Sequence, residues 1–99
     1  MANICNNNFY LTKQESEEDY KKSSENLKRF LDSIDSDYNE DDDFMDGYFD
    51  SKWVFPAEDL QDLLVGDVYF RCLSEEYGCG YVAMNIYDNG WKSEQTFDL

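Results

Sequence analysis

The stretch from Asp32 to Asp50 concentrates the side chains of this chain that could do chemistry. Nine of its nineteen residues are acidic, none is basic, and four are aromatic, namely Tyr38, Phe44, Tyr48 and Phe49. Carboxylates at this density can bind a hard cation, act as a pair of acid and base, or present a negative surface to a basic partner. Each of these chemistries makes a different demand on spacing.

Calcium binding demands oxygen ligands at fixed positions of a loop. Positions 1, 3, 5, 7, 9 and 12 of an EF-hand-like loop are matched here by Asp35, Asp37, Asn39, Asp41, Asp43 and Asp46. The sixth position, however, is Glu40 where the turn needs glycine, and the last is Asp46 where a bidentate glutamate is typical. We therefore expect no metal site and no cofactor, with a calcium-binding domain kept as an alternative.

Catalysis lacks its usual side chains. The chain has no histidine, so neither a Ser-His nor a Cys-His pair can form. Cys72 and Cys79 are too far apart in sequence for a typical zinc motif, and we expect both, with Cys5, to be buried core thiols. Chance alone produces carboxylate pairs among 23 acidic residues. We predict no catalytic residues and no enzyme.

The net charge of −15 limits the partners. Residues 1–34 carry a net charge of −1 and residues 35–99 carry −14, so the surplus is regional. Direct binding to nucleic acid or to an anionic membrane is excluded by the sign of the electrostatic term, and a basic partner is favoured. A polar start without an apolar signal region, and three cysteines, predict a cytoplasmic protein with reduced thiols.

The elements that position these residues follow from the periodicity of apolar side chains. A helix over 14–34 would place one stripe against a core, formed by Tyr20, Leu27, Phe30, Leu31 and Ile34. Residues 35–46 have no such periodicity and are predicted to be a loop. The other expected elements are a helix over 56–65 and strands over 3–12, 47–55, 67–74, 80–87 and, less regularly, 91–97.

The order of these elements predicts one α+β domain over residues 1–99. Two helices would pack on a mainly antiparallel sheet of four or five strands, with 67–74 and 80–87 paired as a hairpin. "SKWVFP" followed by a short helix, "SEEYGCGYVAMNIYDNG" and the opening "MANICNNNFYLT" resemble the YubB-type ferredoxin-like domains of phages and plasmids. The family usually carries Trp where Ile4 stands here. The resemblance implies a ferredoxin-like fold and a mobile-element origin, and no catalytic residue.

The acidic stretch is best explained as an imitation of nucleic acid. Neighbouring phosphates on a DNA strand are about 6–7 Å apart, and alternate strand residues or residues one helical turn apart have similar spacings. Asp35/Asp37, Asp41/Asp43 and Glu58/Asp62 have these separations in sequence. The candidate partner-binding residues are Asp35, Asp37, Tyr38, Glu40, Asp41, Asp42, Asp43, Phe44, Asp46, Asp50, Glu58, Asp59 and Asp62.

In size and charge the chain resembles small acidic phage inhibitors of host defence. We therefore expect a basic, nucleic-acid-binding host partner, either a Cas effector or a restriction enzyme, and favour an anti-CRISPR over an anti-restriction role. Tyr38, Phe44 and Tyr48, which lie in or beside the acidic stretch, would either stack on the partner or pin the loop to the core. An acidic protein-interaction module without nucleic-acid mimicry is the other alternative.

Overall fold

Six strands and two helices form the part of the chain that the computed structural model describes, residues 4–78 and 80–97. They are β1 (Ile4–Lys13), α1 (Glu17–Asp32), β2 (Ser36–Glu40), β3 (Phe44–Lys52), α2 (Ala57–Leu60), β4 (Val68–Glu76), β5 (Tyr81–Asp88) and β6 (Gln95–Phe97). The strands make one antiparallel sheet in the order β2-β3-β1-β4-β5-β6. The predicted α+β class, single domain, two helices and β4–β5 hairpin are confirmed, and the predicted strand number of four or five is wrong.

The extra strand comes from the acidic stretch. The loop predicted over 35–46 is wrong, because Ser36–Glu40 forms β2 and pairs with β3. Periodicity did not indicate this strand because β2 lies at the edge of the sheet and half-buries only Ser36 and Tyr38, while Glu40 on the same side stays exposed. An edge strand that buries so little needs no alternation of apolar and polar residues.

The core lies between α1 and one face of the sheet. Alternate residues of β1 and β4, such as Phe9 and Phe70, are buried against Leu27 and Leu31 of α1. The helix begins after Ser16, whose hydroxyl accepts a hydrogen bond from the Asp19 backbone N–H at 3.1 Å. The predicted stripe is confirmed, with Tyr20, Leu27 and Leu31 buried and Phe30 and Ile34 packed at its rim.

The second strand and second helix differ in length from their predictions. β3 ends at Lys52, and Trp53 then takes a positive φ of 70° that turns the chain out of the sheet. The helix predicted over 56–65 forms only one turn, Ala57–Leu60, after which the chain folds back towards α1. Leu60 is buried as expected. The predictions for residue 3 and for Cys79 lie outside the described residues.

Two acidic residues hold this returning segment to the start of α1. The Asp19 carboxylate accepts a hydrogen bond from the Asp67 N–H at 2.8 Å, and the Asp67 carboxylate accepts one from the Glu15 N–H at 2.9 Å. Gly66 has a φ of +66°, and a Cβ there would meet the Asp19 carboxylate. These two carboxylates therefore serve the fold.

One face of the sheet carries no helix. In β1 the buried residues Asn7, Phe9 and Leu11 alternate with Asn8 and Tyr10, which are not buried. The same alternation runs through β4 and β5. We call the side that carries Asn8 and Tyr10 the open face. Both described helices pack on the opposite side.

Candidate partner-binding surface

The most acidic part of the molecule is the hairpin made by β2 and β3, residues 35–50, which we call the acidic hairpin. Its turn is closed by the Asp41 N–H, which donates to the Phe44 carbonyl at 2.8 Å. The Asp41 carboxylate accepts from the Asp42 N–H at 2.7 Å. Asp41, Asp42 and Asp43 are all exposed. The hydrogen-bonded turn thus holds three consecutive carboxylates close together in water.

Strand pairing places several other carboxylates of the hairpin on the open face. Asp37 pairs with Tyr48 and Asn39 pairs with Asp46, which places all four on the open face. Asp50 is on the same side because it lies four residues after Asp46. Diagonal neighbours across an antiparallel pair are about 7–8 Å apart. Asp37 therefore lies at about that distance from both Asp46 and Asp50.

The hairpin depends on a glycine at its centre. Gly47 pairs with Tyr38, and a Cβ built on Gly47 would lie 2.6 Å from the Tyr38 Cα. Such an approach is closer than real Cβ atoms make, so β2 could not stay in register beside a larger residue. Gly47 thus allows the acidic edge strand to pack against β3.

Few of these charges have a cation beside them. Within residues 4–78 and 80–97 there are two ion pairs, Lys28–Glu40 at 2.7 Å and Lys13–Asp43 at 3.6 Å. The hydrogen bond to Glu40 raises the pKa of Lys28 above its ordinary value. Both pairs have exposed partners, so each contributes little to stability. The remaining carboxylates of the acidic hairpin repel one another.

The acidic residues near α2 lie apart from the open face. Glu58, Asp59 and Asp62 are exposed, and α2 packs on the helix-bearing side of the sheet through Leu60. Asp62 lies beyond the last residue of α2, so the helical geometry on which the expected Glu58–Asp62 spacing depended does not extend to it. Asp41 and Asp43 lie in the turn, so strand geometry does not set their separation. Asp37 lies within β2, whereas Asp35 lies in a bend just before it, where its carbonyl accepts a hydrogen bond from the Asp50 N–H at 3.2 Å.

The two candidate aromatic residues face opposite sides of the hairpin. Tyr38 packs against the core, and its hydroxyl donates to the Asp32 carboxylate at 2.9 Å, which raises the pKa of Tyr38. Phe44 lies on the open face, with its ring centroid 6.0 Å from that of Tyr10 in an edge-on arrangement. Tyr38 therefore anchors the hairpin to the core, and Phe44 contributes to the surface.

A groove of about 580 Å³ separates α1 from the turn of the acidic hairpin. Lys21, Lys28 and the three turn aspartates line it, and the Tyr20 hydroxyl donates to the Asp41 carbonyl at 3.3 Å. Among the described residues, no three cysteine, aspartate or glutamate side chains are arranged to hold a metal ion. The ligands of the calcium-loop pattern are spread over β2, the turn and β3. Cys5 and Cys72 are buried, and burial raises the pKa of both thiols.

Tyr20 should make stability fall at high pH. Burial, and then the nearby Glu40 and Asp43 carboxylates, raise the pKa of Tyr20 to about 12. Because an unfolded tyrosine titrates at about 10, the unfolded chain loses this proton first. The contribution is complete below about pH 10 and disappears as the pH rises towards about 12. Between about pH 10 and about pH 12, the free energy of unfolding of Tyr20→Phe should therefore fall less than that of the wild type.

Urea denaturation followed by circular dichroism measures this difference. The stability of Tyr20→Phe at neutral pH serves as the reference, because the variant also loses the hydrogen bond to the Asp41 carbonyl. A pH dependence identical to that of the wild type would show that Tyr20 ionises equally easily in both states.

Sequence analysis did not include Tyr10 and Arg71 in the candidate site, and it considered Tyr48 only as an aromatic residue that could stack on the partner. All three lie on the open face, and the Arg71 guanidinium carbon is 5.3 Å from the centroid of the Tyr10 ring. Tyr48 is 49% exposed. Alternation within β1 and β4 was the available signal, but the side that the helices cover cannot be read from one strand alone.

The comparisons with known proteins give no relative on which to base a function. No family model, no curated protein and no solved structure matches the chain. Among the described residues, the helices are too short and too polar to cross a membrane.

Added salt should stabilise the free protein at neutral pH. Raising the ionic strength from about 0.01 M to 0.15 M shortens the Debye length from about 30 to 8 Å, which screens repulsion between the turn and strand carboxylates. We expect the melting temperature to rise, and to rise equally in sodium chloride and choline chloride because screening does not depend on the cation. A flat response would contradict the crowding of charge. A rise specific to calcium, reversed by a chelator, would indicate the calcium-binding alternative.

Proposed function

We propose that this protein inhibits a nucleic-acid-binding defence protein of a bacterial host by occupying the basic channel of that protein in place of nucleic acid. The observation that carries the proposal is the acidic hairpin, an edge of the sheet whose exposed carboxylates have few cations beside them. The favoured target is a CRISPR effector, and a restriction enzyme is the second. No catalytic role is assigned to any residue.

The spacing of the carboxylates supports the proposal. Neighbouring phosphates on a DNA strand are about 6–7 Å apart. Asp37 lies diagonally from Asp46 and Asp50, at about 7–8 Å. Lysine and arginine side chains arranged for phosphates would meet carboxylates at similar distances.

Electrostatics favour such a complex before any contact is made. A basic channel that awaits nucleic acid contains cations that repel one another, and the acidic hairpin contains anions that repel one another. Association relieves both repulsions. A net charge of −15 would also steer the two proteins together at low ionic strength.

We propose further that the domain has a ferredoxin-like core, as the resemblance to the YubB-type domains implies. The order β-α-β-β-α-β and the strand sequence β2-β3-β1-β4 support this assignment. β5 and β6 would then be additions beyond β4. A mobile-element origin remains a prediction that is consistent with an inhibitor of host defence.

Displacement of DNA tests the proposal directly. A guide-loaded Cas nuclease or, separately, a restriction enzyme is first incubated with increasing amounts of the protein. A labelled target duplex is then added, and its fluorescence anisotropy reports how much DNA still binds. We expect the anisotropy to fall with one of the two enzymes, and more protein to be needed as salt increases. No displacement from either would leave the acidic interaction module as the better explanation.

The order of addition separates competition from other mechanisms. If the protein occupies the channel, it should inhibit strongly when added before DNA and weakly when DNA is loaded first. Equal inhibition in both orders would contradict competition for the channel and indicate an allosteric or dimerising mechanism. An unlabelled duplex serves as the reference competitor.

A further inference from the structure

The open face combines acidic and aromatic side chains in a way that the helix-bearing side does not. The pairings of β1 with β3 and with β4 show which residues of this face lie side by side on neighbouring strands. The acidic side chains of this face include Asp37 on β2, Asp46 and Asp50 on β3, and Glu75 on β4. None of the open-face residues in β1, β3 and β4 is buried. A partner could therefore reach the face without any rearrangement of the helices.

Aromatic rings lie between these carboxylates. Tyr10 pairs with Asp46 on one side and with Arg71 on the other. Phe44 contacts the Tyr10 ring edge-on at 6.0 Å, and Tyr48 stands exposed beside Asp46 on the same strand. A depression of about 680 Å³ is lined by Tyr10, Phe44, Asp46 and Arg71, among others. An exposed ring offers a flat surface on which a planar group can stack.

The planar group that fits this surface is a guanidinium. A nucleobase would also stack on the rings, but its phosphate would be repelled by Asp46, Asp50 and Glu75. A guanidinium has the opposite charge and can form hydrogen bonds with carboxylates while it stacks. The molecule's own Arg71 already does so in part, with its guanidinium carbon 5.3 Å from the centre of the Tyr10 ring.

We propose that the open face is the docking surface and that it binds arginine side chains of the partner, which stack on Tyr10, Phe44 and Tyr48. Asp37, Asp46 and Asp50 supply the opposing charges. This inference rests on the proposed function and deepens it, because arginines that grip phosphates are the groups that a nucleic-acid mimic must satisfy. Lysine should fit less well, since an ammonium lacks the planar surface for stacking.

Two matched triple variants test which side of the molecule docks. Asp37, Asp46 and Asp50 are changed to Asn in the first, and Glu58→Gln, Asp59→Asn and Asp62→Asn are combined in the second. Both remove three charges. The probes are fluorescent deca-arginine and deca-lysine peptides, and anisotropy at moderate salt gives the affinities.

We expect wild-type protein to bind deca-arginine more tightly than deca-lysine. The open-face variant should lose at least about threefold in affinity for deca-arginine, since each exposed pair contributes a few tenths of a kcal/mol or more. The second variant should lose less, because its changes lie on the helix-bearing side of the sheet and the peptide docks on the other side. Equal losses in both variants, or no preference for arginine, would overturn the inference.

A third variant tests the stacking rings. Tyr48→Thr replaces the ring with a β-branched side chain that also favours strands, so the variant should fold, and circular dichroism can check this. We expect it to weaken deca-arginine binding by about twofold to fivefold, as for an exposed cation–π contact, and to change deca-lysine binding less. An equal effect on both peptides would contradict stacking.

The failure of this inference can be told from the failure of the proposed function. If both triple variants bind arginine peptide equally but the wild type still displaces DNA from a nuclease, the protein acts as a nucleic-acid mimic but does not dock through the open face. If arginine peptide binds at the open face but no DNA is displaced, the open face is an arginine-binding surface and the proposed nucleic-acid mimicry is contradicted.

Discussion

Inhibition of DNA binding should fall by roughly fourfold to a thousandfold when Asp41, Asp42, Asp43 and Asp46 are all changed to Asn. Each exposed pair with a partner cation contributes about 0.2–1 kcal/mol, and four are lost together. Asn at Asp41 keeps the oxygen that accepts from the Asp42 N–H, so the turn should survive. The measurement is the concentration of protein that displaces half of the labelled duplex, in low and in moderate salt.

A matched variant shows whether position or total charge matters. Glu15, Glu17, Glu18 and Glu25 are also exposed, and changing all four to Gln removes the same charge from α1 and the residues before it. We expect this variant to inhibit nearly as well as the wild type. If it is as weak as the hairpin variant, net charge alone is responsible. Undiminished inhibition by the hairpin variant would show that the turn is only a solvated loop.

Leu31→Ala should lower the free energy of unfolding by about 2–5 kcal/mol. Leu31 is fully buried between α1 and the sheet, within the cluster that contains Phe49 and Phe70. Removing its side chain leaves a cavity that the aromatic neighbours can fill only in part. The loss is a large fraction of the stability of a small domain. Urea denaturation at constant salt measures it.

Lys22→Ala is the control for this change. Lys22 is exposed on the same helix, so the substitution should alter stability by less than about 0.5 kcal/mol. It also raises the net negative charge by one, which the constant salt concentration screens. A cost of less than about 0.5 kcal/mol for Leu31→Ala would contradict the packing of α1 on the sheet.

The positions of the carboxylates explain why the repulsion between them does not prevent folding. The carboxylates that serve the fold, such as Asp19 and Asp67, accept backbone hydrogen bonds. β2, the outer strand of the acidic hairpin, lies at an edge of the sheet, while β3 contributes Met45 and Phe49 to the core. Charged side chains on an edge strand also prevent pairing with another chain. The carboxylates that repel one another thus lie on the outer strand, in the turn and on the open face, outside the core.

Much of the fold could be predicted from local patterns. The stripe that contains Tyr20, Leu27 and Leu31 defined α1 because a helix brings residues three and four apart onto one face. The hairpin of β4 and β5 followed from two runs of β-prone residues around a glycine-containing turn. β2 could not be predicted in this way, since its pairing depends on β3 and on the close approach at Gly47, both distant from its own residues.

The acidic and regional character of the candidate surface was determined by the sequence alone, because charge and its distribution along the chain do not depend on folding. Which carboxylates act together was decided only by the tertiary structure. Asp37 and Asp46 share the open face through strand pairing, whereas Glu58 lies on the helix-bearing side. Tyr10 and Arg71 join the surface for the same reason, since a strand alternates its side chains but only packing decides which side is covered.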